Sequence, residues 1–206
     1  MTETIIKHAS KTAITLIAFA VVFTALLAFV FQITKTPIEK SEAAARMALF
    51  GQIVPPNMHD NDLLKDSISI APNALLGNTQ ASIANRARLN NTPQAVILEA
   101  IAHDGYAGDI KLLIAIKYDG SIAGVRVLTH KETPGLGDYI DVAKNNWIKL
   151  FNGESLIKTV GEKWAVKKDS GQFDYMAGAT ITPRAVVKAV HKALQYFEAN
   201  KTALFA

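Results

Sequence analysis

Two short stretches hold the residue types that could do chemistry. One is His130-Lys-Glu-Thr-Pro-Gly-Leu-Gly137, and the other is Asp174-Tyr-Met-Ala-Gly-Ala-Thr-Ile-Thr-Pro183. The second places a threonine hydroxyl on a glycine-containing turn just ahead of a helix start. Gly178 lets a bulky ligand approach the backbone closely. A helix N-terminus offers unpaired N–H groups and a partial positive charge of about half a unit, which suits a phosphate. The same residues also suit an ordinary cap, with Thr182 as N-cap and Pro183 at the first helical position, and most Thr-Pro helix starts are no more than that. In the first stretch Pro134-Gly135 fits the two central positions of a type II turn. Its two glycines and the apolar Leu136 would let a flat ring lie against the backbone. Alone, a plain turn is the simpler reading.

These stretches need elements to hold them. From residue 95 the pattern is that of strands: residues 95–102 and 110–118 are rich in Val, Ile and Leu. Asp119-Gly120 follows, a pair suited to a type I′ turn, and residues 122–129 alternate around Val125 and Val127 with Arg126 pointing the other way. An antiparallel hairpin is expected, extended by the earlier strand through Asp104-Gly105-Tyr106. A helix is expected from about Tyr139 to Phe151, with Ile140, Ala143, Trp147, Leu150 and Phe151 on its inner face, and a short strand at residues 164–167. The last helix is well marked, because Val186, Val187, Val190, Leu194 and Phe197 share one side. Upstream, Thr36-Pro37 reads as a helix start, with Ile38, Ala45, Ala48 and Leu49 as its stripe and Gly51 and Pro55-Pro56 as its end. Residues 55–94 read as loops with short strands, with little function expected there.

The N-terminal part is different in kind. No charged residue occurs between Lys11 and Lys35, and residues 13–33 form a 21-residue apolar run with apolar side chains on every face. At about 1.5 Å per residue such a helix spans roughly 30 Å, the hydrocarbon thickness of a bilayer. The run exceeds the 7–15 residues or so of a signal-peptide core, and Ala43 and Ala45 lie too far beyond it to serve for cleavage. An uncleaved single-pass anchor is expected. Two lysines precede the span and Lys35, Lys40 and Arg46 follow it, so charge does not choose its orientation.

Composition narrows the classes. The chain has 206 residues, net charge +4 and no cysteine, which excludes a disulfide scaffold, thiolate metal sites and a cysteine nucleophile. There is no long basic run, so nucleic acid is not an expected partner. The five histidines show no metal-ligand spacing, and Tyr106, Tyr139 and Trp164 read as packing residues. From Lys35 onward the net charge is +3, that of an ordinary water-soluble unit.

Taken together, Glu132-Thr-Pro-Gly-Leu-Gly137 and Asp174-x-x-Ala-Gly-Ala-Thr-x-Thr182 resemble the FMN-binding domain of the G subunits of Rnf (Rsx) electron-transport complexes. The C subunit of the sodium-translocating NADH:quinone reductase is similar. The resemblance covers nearly the whole chain, and the length and the Trp-Ala-Val-Lys-Lys-Asp stretch favour the Rnf member. It implies an α+β fold: a transmembrane helix, then an antiparallel sheet packed by helices. The implied organisation is a tail 1–12, the span 13–33, a helical and loop-rich connection 34–94 and an FMN-binding domain 95–206.

The resemblance also implies covalent FMN. A separate, Mg-dependent flavin transferase would use FAD to join FMN through its phosphate to Thr180, with Thr182 as second choice and Asp174 part of the motif the transferase reads. Gly178 and Ala179 complete that motif. Glu132, Thr133, Leu136 and Gly137 would line the isoalloxazine ring, and Lys168 would face the negative end of the flavin. Position 177 is Ala where the family often has Ser or Thr, which removes a hydroxyl but leaves the acceptor. The implied role is that of an electron carrier, not a complete enzyme, in the bacterial inner membrane with the soluble domain in the periplasm. Membrane lipid, integral membrane subunits and iron–sulfur subunits would be its partners, and the complex would couple electron flow to ion movement. Two alternatives stand beside it: the quinone-reductase subunit, and a flavin-free tethered binding ectodomain.

Overall fold

The computed structural model describes residues 2–206 and divides into two compact units, residues 1–46 and 47–206. The first element, α1 (Thr2–Ile53), runs through the boundary between them. Its apolar stretch 13–33 is exposed on every face. Thr15 returns its hydroxyl to the Lys11 carbonyl at 2.9 Å, the device that makes a hydroxyl tolerable in hydrocarbon. Pro37 does not start a helix here; it lies inside α1. An interior proline costs about 3 kcal/mol. The helix formers that follow it, Glu39, Lys40 and the alanine run 43–45, carry the helix on past one missing N–H. Gly51 likewise fails to end the helix, which stops at Ile53 just before Pro55-Pro56.

The second unit is built on one five-stranded antiparallel meander: β1 (Ser67–Ile70), β2 (Ser82–Leu89), β3 (Thr92–Gly105), β4 (Gly108–Lys117) and β5 (Ile122–Thr129), in that order. The sheet begins earlier than the strand pattern suggests. β1 and β2 lie in the region expected to be mostly loops, and Asn90 and Asn91, at φ 50° and 60°, make the tight β2–β3 turn that such left-handed pairs favour. The β4–β5 turn is not the type I′ expected, because Gly120 alone has positive φ (87°). Asp119 instead accepts from the Ser121 N–H at 2.8 Å, a local side-chain bond that selects a longer turn.

The sheet is covered on both faces. α2 (Ile181–Phe205) packs Val186, Val187, Val190, Leu194 and Phe197 against Leu98, Leu112, Ile114 and Val125. The other face carries Ile97, Leu113 and Ala115, which meet Phe50 and Ile53 from the last turn of α1. Arg126 does point to that second face. There it donates to the Gln52 side chain at 2.9 Å and to the Gln52 carbonyl at 3.0 Å, satisfying groups at the end of α1.

Between β5 and α2 lie 51 residues, 130–180, without a long element. The helix expected over 139–151 is replaced by two 3₁₀ turns, Gly137–Ile140 and Asn146–Phe151. Asp141 accepts from the Ala143 N–H at 2.9 Å and Asn145 from the Trp147 N–H at 2.8 Å. Each closes an Asx turn that competes with helix propagation. The strand expected at 164–167 reduces to a single bridge between Val166 and Phe173. Aromatic packing organises this segment instead: Trp147, Phe151, Phe173 and Trp164 form a run with ring centroids 4.8–5.5 Å apart.

Candidate functional site

The two stretches that stand out in the sequence meet around one cavity of about 280 Å³. Glu132, Thr133, Leu136 and Gly137 supply one wall, and residues 178–182 supply the other. Tyr106, from the β3–β4 turn, completes the lining. The first wall is shaped by the Thr133–Leu136 turn, in which Gly135 has φ 76° and the Leu136 N–H donates to the Thr133 carbonyl at 3.1 Å. That is the type II geometry the Pro-Gly pair favours. Asp138 holds it by accepting from the Gly135 N–H at 2.8 Å. The second wall turns at Gly178, φ 86°, where the Ala179 N–H donates to the Met176 carbonyl at 3.0 Å. A side chain at Gly178 would meet no atom within 4 Å, so the backbone there is open to a ligand, while the φ excludes most other residues.

Thr180, not Thr182, stands at the cap position of α2. Its backbone is already helical (φ −79°, ψ −26°), whereas a capping residue is usually extended. Its hydroxyl therefore does not fold back onto the N–H groups of the first turn and makes no cap bond. The side chain is half-buried at the cavity wall. Thr182, the N-cap expected from the Thr-Pro pair, is 1% exposed and donates its hydroxyl to Glu132 instead.

Two of the site residues suggested by resemblance lie outside the cavity. Lys168 is exposed on the Lys167–Asp169 turn. Asp174 is exposed and pairs with Lys167 at 2.5 Å, while its carbonyl accepts from the Trp147 indole at 2.7 Å. The Lys168 turn is tied to the first turns of α2 by the bidentate Arg184–Asp169 pair, at 2.5 and 2.6 Å. That arginine holds the Asp169 carboxyl below its ordinary range. Tyr139 is a packing residue: its hydroxyl accepts from the Met176 N–H at 3.3 Å, and burial pushes its pKa up to about 12. No cluster of three or more metal-binding side chains occurs among the described residues.

Two lining residues carry no signal in the sequence. Tyr106, read in the sequence as a packing residue, is instead 67% exposed, and Ile181 sits unmarked between two threonines; both stand at the cavity mouth. No local pattern singles out either residue, because each reaches the cavity only through the fold.

Comparison with known proteins closes the matter of kinship. Residues 105–195 match the family model of the FMN-binding domain, and residues 1–53 match that of the RnfG N-terminal region. A protein of Vibrio atlanticus, named as the G subunit of an ion-translocating oxidoreductase complex, is 44% identical over 196 residues, covering 95% of this chain and 93% of that one. The chain belongs to the RnfG family. The G subunits of the same complex from Pseudomonas aeruginosa (46% identical, 95% of this chain and 92% of the relative) and Shewanella loihica (44%, 99% and 94%) agree. The match to the FMN-binding model begins at Gly105, one residue before Tyr106, and spans both walls of the cavity. FMN fits the residues present: an open glycine turn, apolar Leu136, Ala179 and Ile181 beside it, and a threonine hydroxyl at a helix start.

Proposed function

We propose that this chain is the membrane-anchored flavoprotein subunit of an Rnf-type complex, relaying electrons through FMN held by a phosphoester to Thr180. The observation that carries the reading is the convergence of both motifs on one cavity with the Thr180 hydroxyl at its wall. Bound FMN supplies one- or two-electron transfer, and the protein supplies position and electrostatics. Leu136, Ala179, Ile181 and Tyr106 would offer the ring apolar side chains to lie against at the cavity wall and mouth. The start of α2 would set its partial positive charge beside the remaining negative charge of the phosphodiester.

Attachment is a phosphoryl transfer. The Thr180 Oγ–P bond forms as the P–O bond joining the FMN half of FAD to AMP breaks; AMP leaves, and the hydroxyl proton passes to a base on the flavin transferase. Asp174, exposed beside the acceptor loop, is accessible for recognition by that enzyme.

The span 13–33 confines the unit near its membrane partners and raises its effective concentration there. Carrying no charge, it cannot itself be the ion path, which belongs to the integral subunits. By the family resemblance the membrane is the bacterial inner membrane and residues 47–206 face the periplasm; protease added to intact spheroplasts should then digest that unit.

The direct test of attachment is flavin fluorescence in a denaturing gel of membranes containing the transferase. The wild-type band should fluoresce and Thr180→Ala should be dark at equal protein. A fluorescent Thr180→Ala band would refute the assignment.

A further inference from the structure

Glu132 stands out among the cavity residues because its carboxylate is already committed. It is 4% exposed, its Oε1 accepts from the Ala107 N–H at 3.1 Å, and its Oε2 accepts from the Thr182 hydroxyl. The backbone of Gly137 closes over this pair. A Cβ there would fall 2.7 Å from Glu132 Oε2 and 2.8 Å from Thr182 Oγ1, so only glycine lets the chain pass. One side chain thus ties together the β3–β4 turn, the exit from β5, the segment after the Pro-Gly turn and the second residue of α2. Buried, fully partnered polar groups fix a single arrangement, and here the arrangement includes the start of the helix that carries Thr180.

We propose that the Glu132–Thr182 pair is a positioning device that presents Thr180, and only Thr180, for flavin attachment. The inference rests on the attachment reading above. Its physical content is a choice between two hydroxyls two residues apart. That of Thr182, a residue 1% exposed, is already donated to Glu132, whose carboxylate closes it off from an incoming phosphorus atom. That of Thr180 is half-buried at an open wall and has no cap bond. Glu132 enforces the difference by anchoring Thr182 inward, which leaves Thr180 facing the cavity. Misplacing a reacting atom by about 1 Å can cost roughly a hundredfold in rate.

The experiment follows flavin incorporation with time by intact mass, using the full chain in membranes together with the transferase. Thermal melting reports folding for each variant. Glu132→Ala and Thr182→Val should each slow incorporation at Thr180 by about tenfold or more. The double variant should be no slower than the worse single one, because both break the same contact. Thr182→Ser, which keeps the hydroxyl, should behave as wild type. Leu63→Ala, in the separate hydrophobic group on the other face of the sheet, controls for lost stability: it should lower the melting temperature and leave incorporation unchanged. Thr180→Ala should acquire no flavin at Thr182. Wild-type rates in Thr182→Val would overturn the proposal, and so would an equal slowing in Leu63→Ala or a flavin on Thr182 in Thr180→Ala. Absence of flavin from the wild type would instead sink the attachment reading beneath it.

Discussion

The chain has two long helices, and they are built for different solvents. Over residues 13–33, α1 is apolar on every face and exposed on every face. α2 is apolar along one side and buries that side on the sheet. A stripe needs a partner within the protein, while an unbroken apolar cylinder finds its partner in lipid. The same residue types therefore have opposite consequences in the two places, and substitutions can separate them.

The largest separation should come from Phe197→Ala. Phe197 is fully buried, and losing a phenyl ring from a packed core costs about 3–5 kcal/mol. Denaturant unfolding of the soluble unit should show that loss, while retention in the membrane fraction stays at the wild-type level. The converse substitution is Leu26→Arg, in the middle of the apolar run. A charge at the centre of a span costs about 3 kcal/mol on insertion, so carbonate-resistant membrane association should fall and the melting of the soluble unit should not move. If Leu26→Arg lowered that melting temperature as much as Phe197→Ala does, the division of labour between the helices would be wrong.

The smallest effect concerns pH. His103 on β3 points both ring nitrogens at acceptors, Asp109 at 2.9 Å and the Gly77 carbonyl at 2.7 Å, beside Lys188 and Lys192 of α2. The Asp109 hydrogen bond, followed by that to Gly77, raises its pKa above the ordinary 6.5. The folded state thus binds this proton more tightly than the unfolded state. Its stabilising contribution is fully present below pH 6.5 and disappears as pH rises through the higher, folded value. Melting temperature against pH should show a shallow decline there, which His103→Asn should flatten. The membrane helix should contribute nothing to that slope.

Much of this is legible in the amino acids. The span, strands β3 to β5 and the side of α2 that packs all follow from local pattern, because each repeats a period or a turn preference within a few residues. The two chemical stretches read locally as a turn and a cap and gain their meaning from the family resemblance. What escapes depends on partners far away in sequence. Thr182 looks like a cap until Glu132, fifty residues earlier, takes its hydroxyl. Residues 139–151 have helical spacing, but Asp141 and Asn145 bond their own backbone, and the aromatic run reaches Phe173 and Trp164 without a helix. Pro37 has the look of a boundary, yet α1 runs through it into the helix-forming stretch of Glu39, Lys40 and the alanines 43–45. Tyr106 joins the cavity because the β3–β4 turn happens to end there.

The central claim is that a redox cofactor hangs from a single hydroxyl at the start of α2. Peptide mapping of the full chain from native membranes tests it most directly. One fragment should carry the mass of FMN less one water, with fragmentation placing the adduct on Thr180 and none on Thr182. A fully unmodified Thr180 peptide from those membranes, or an adduct on any other residue, would contradict it.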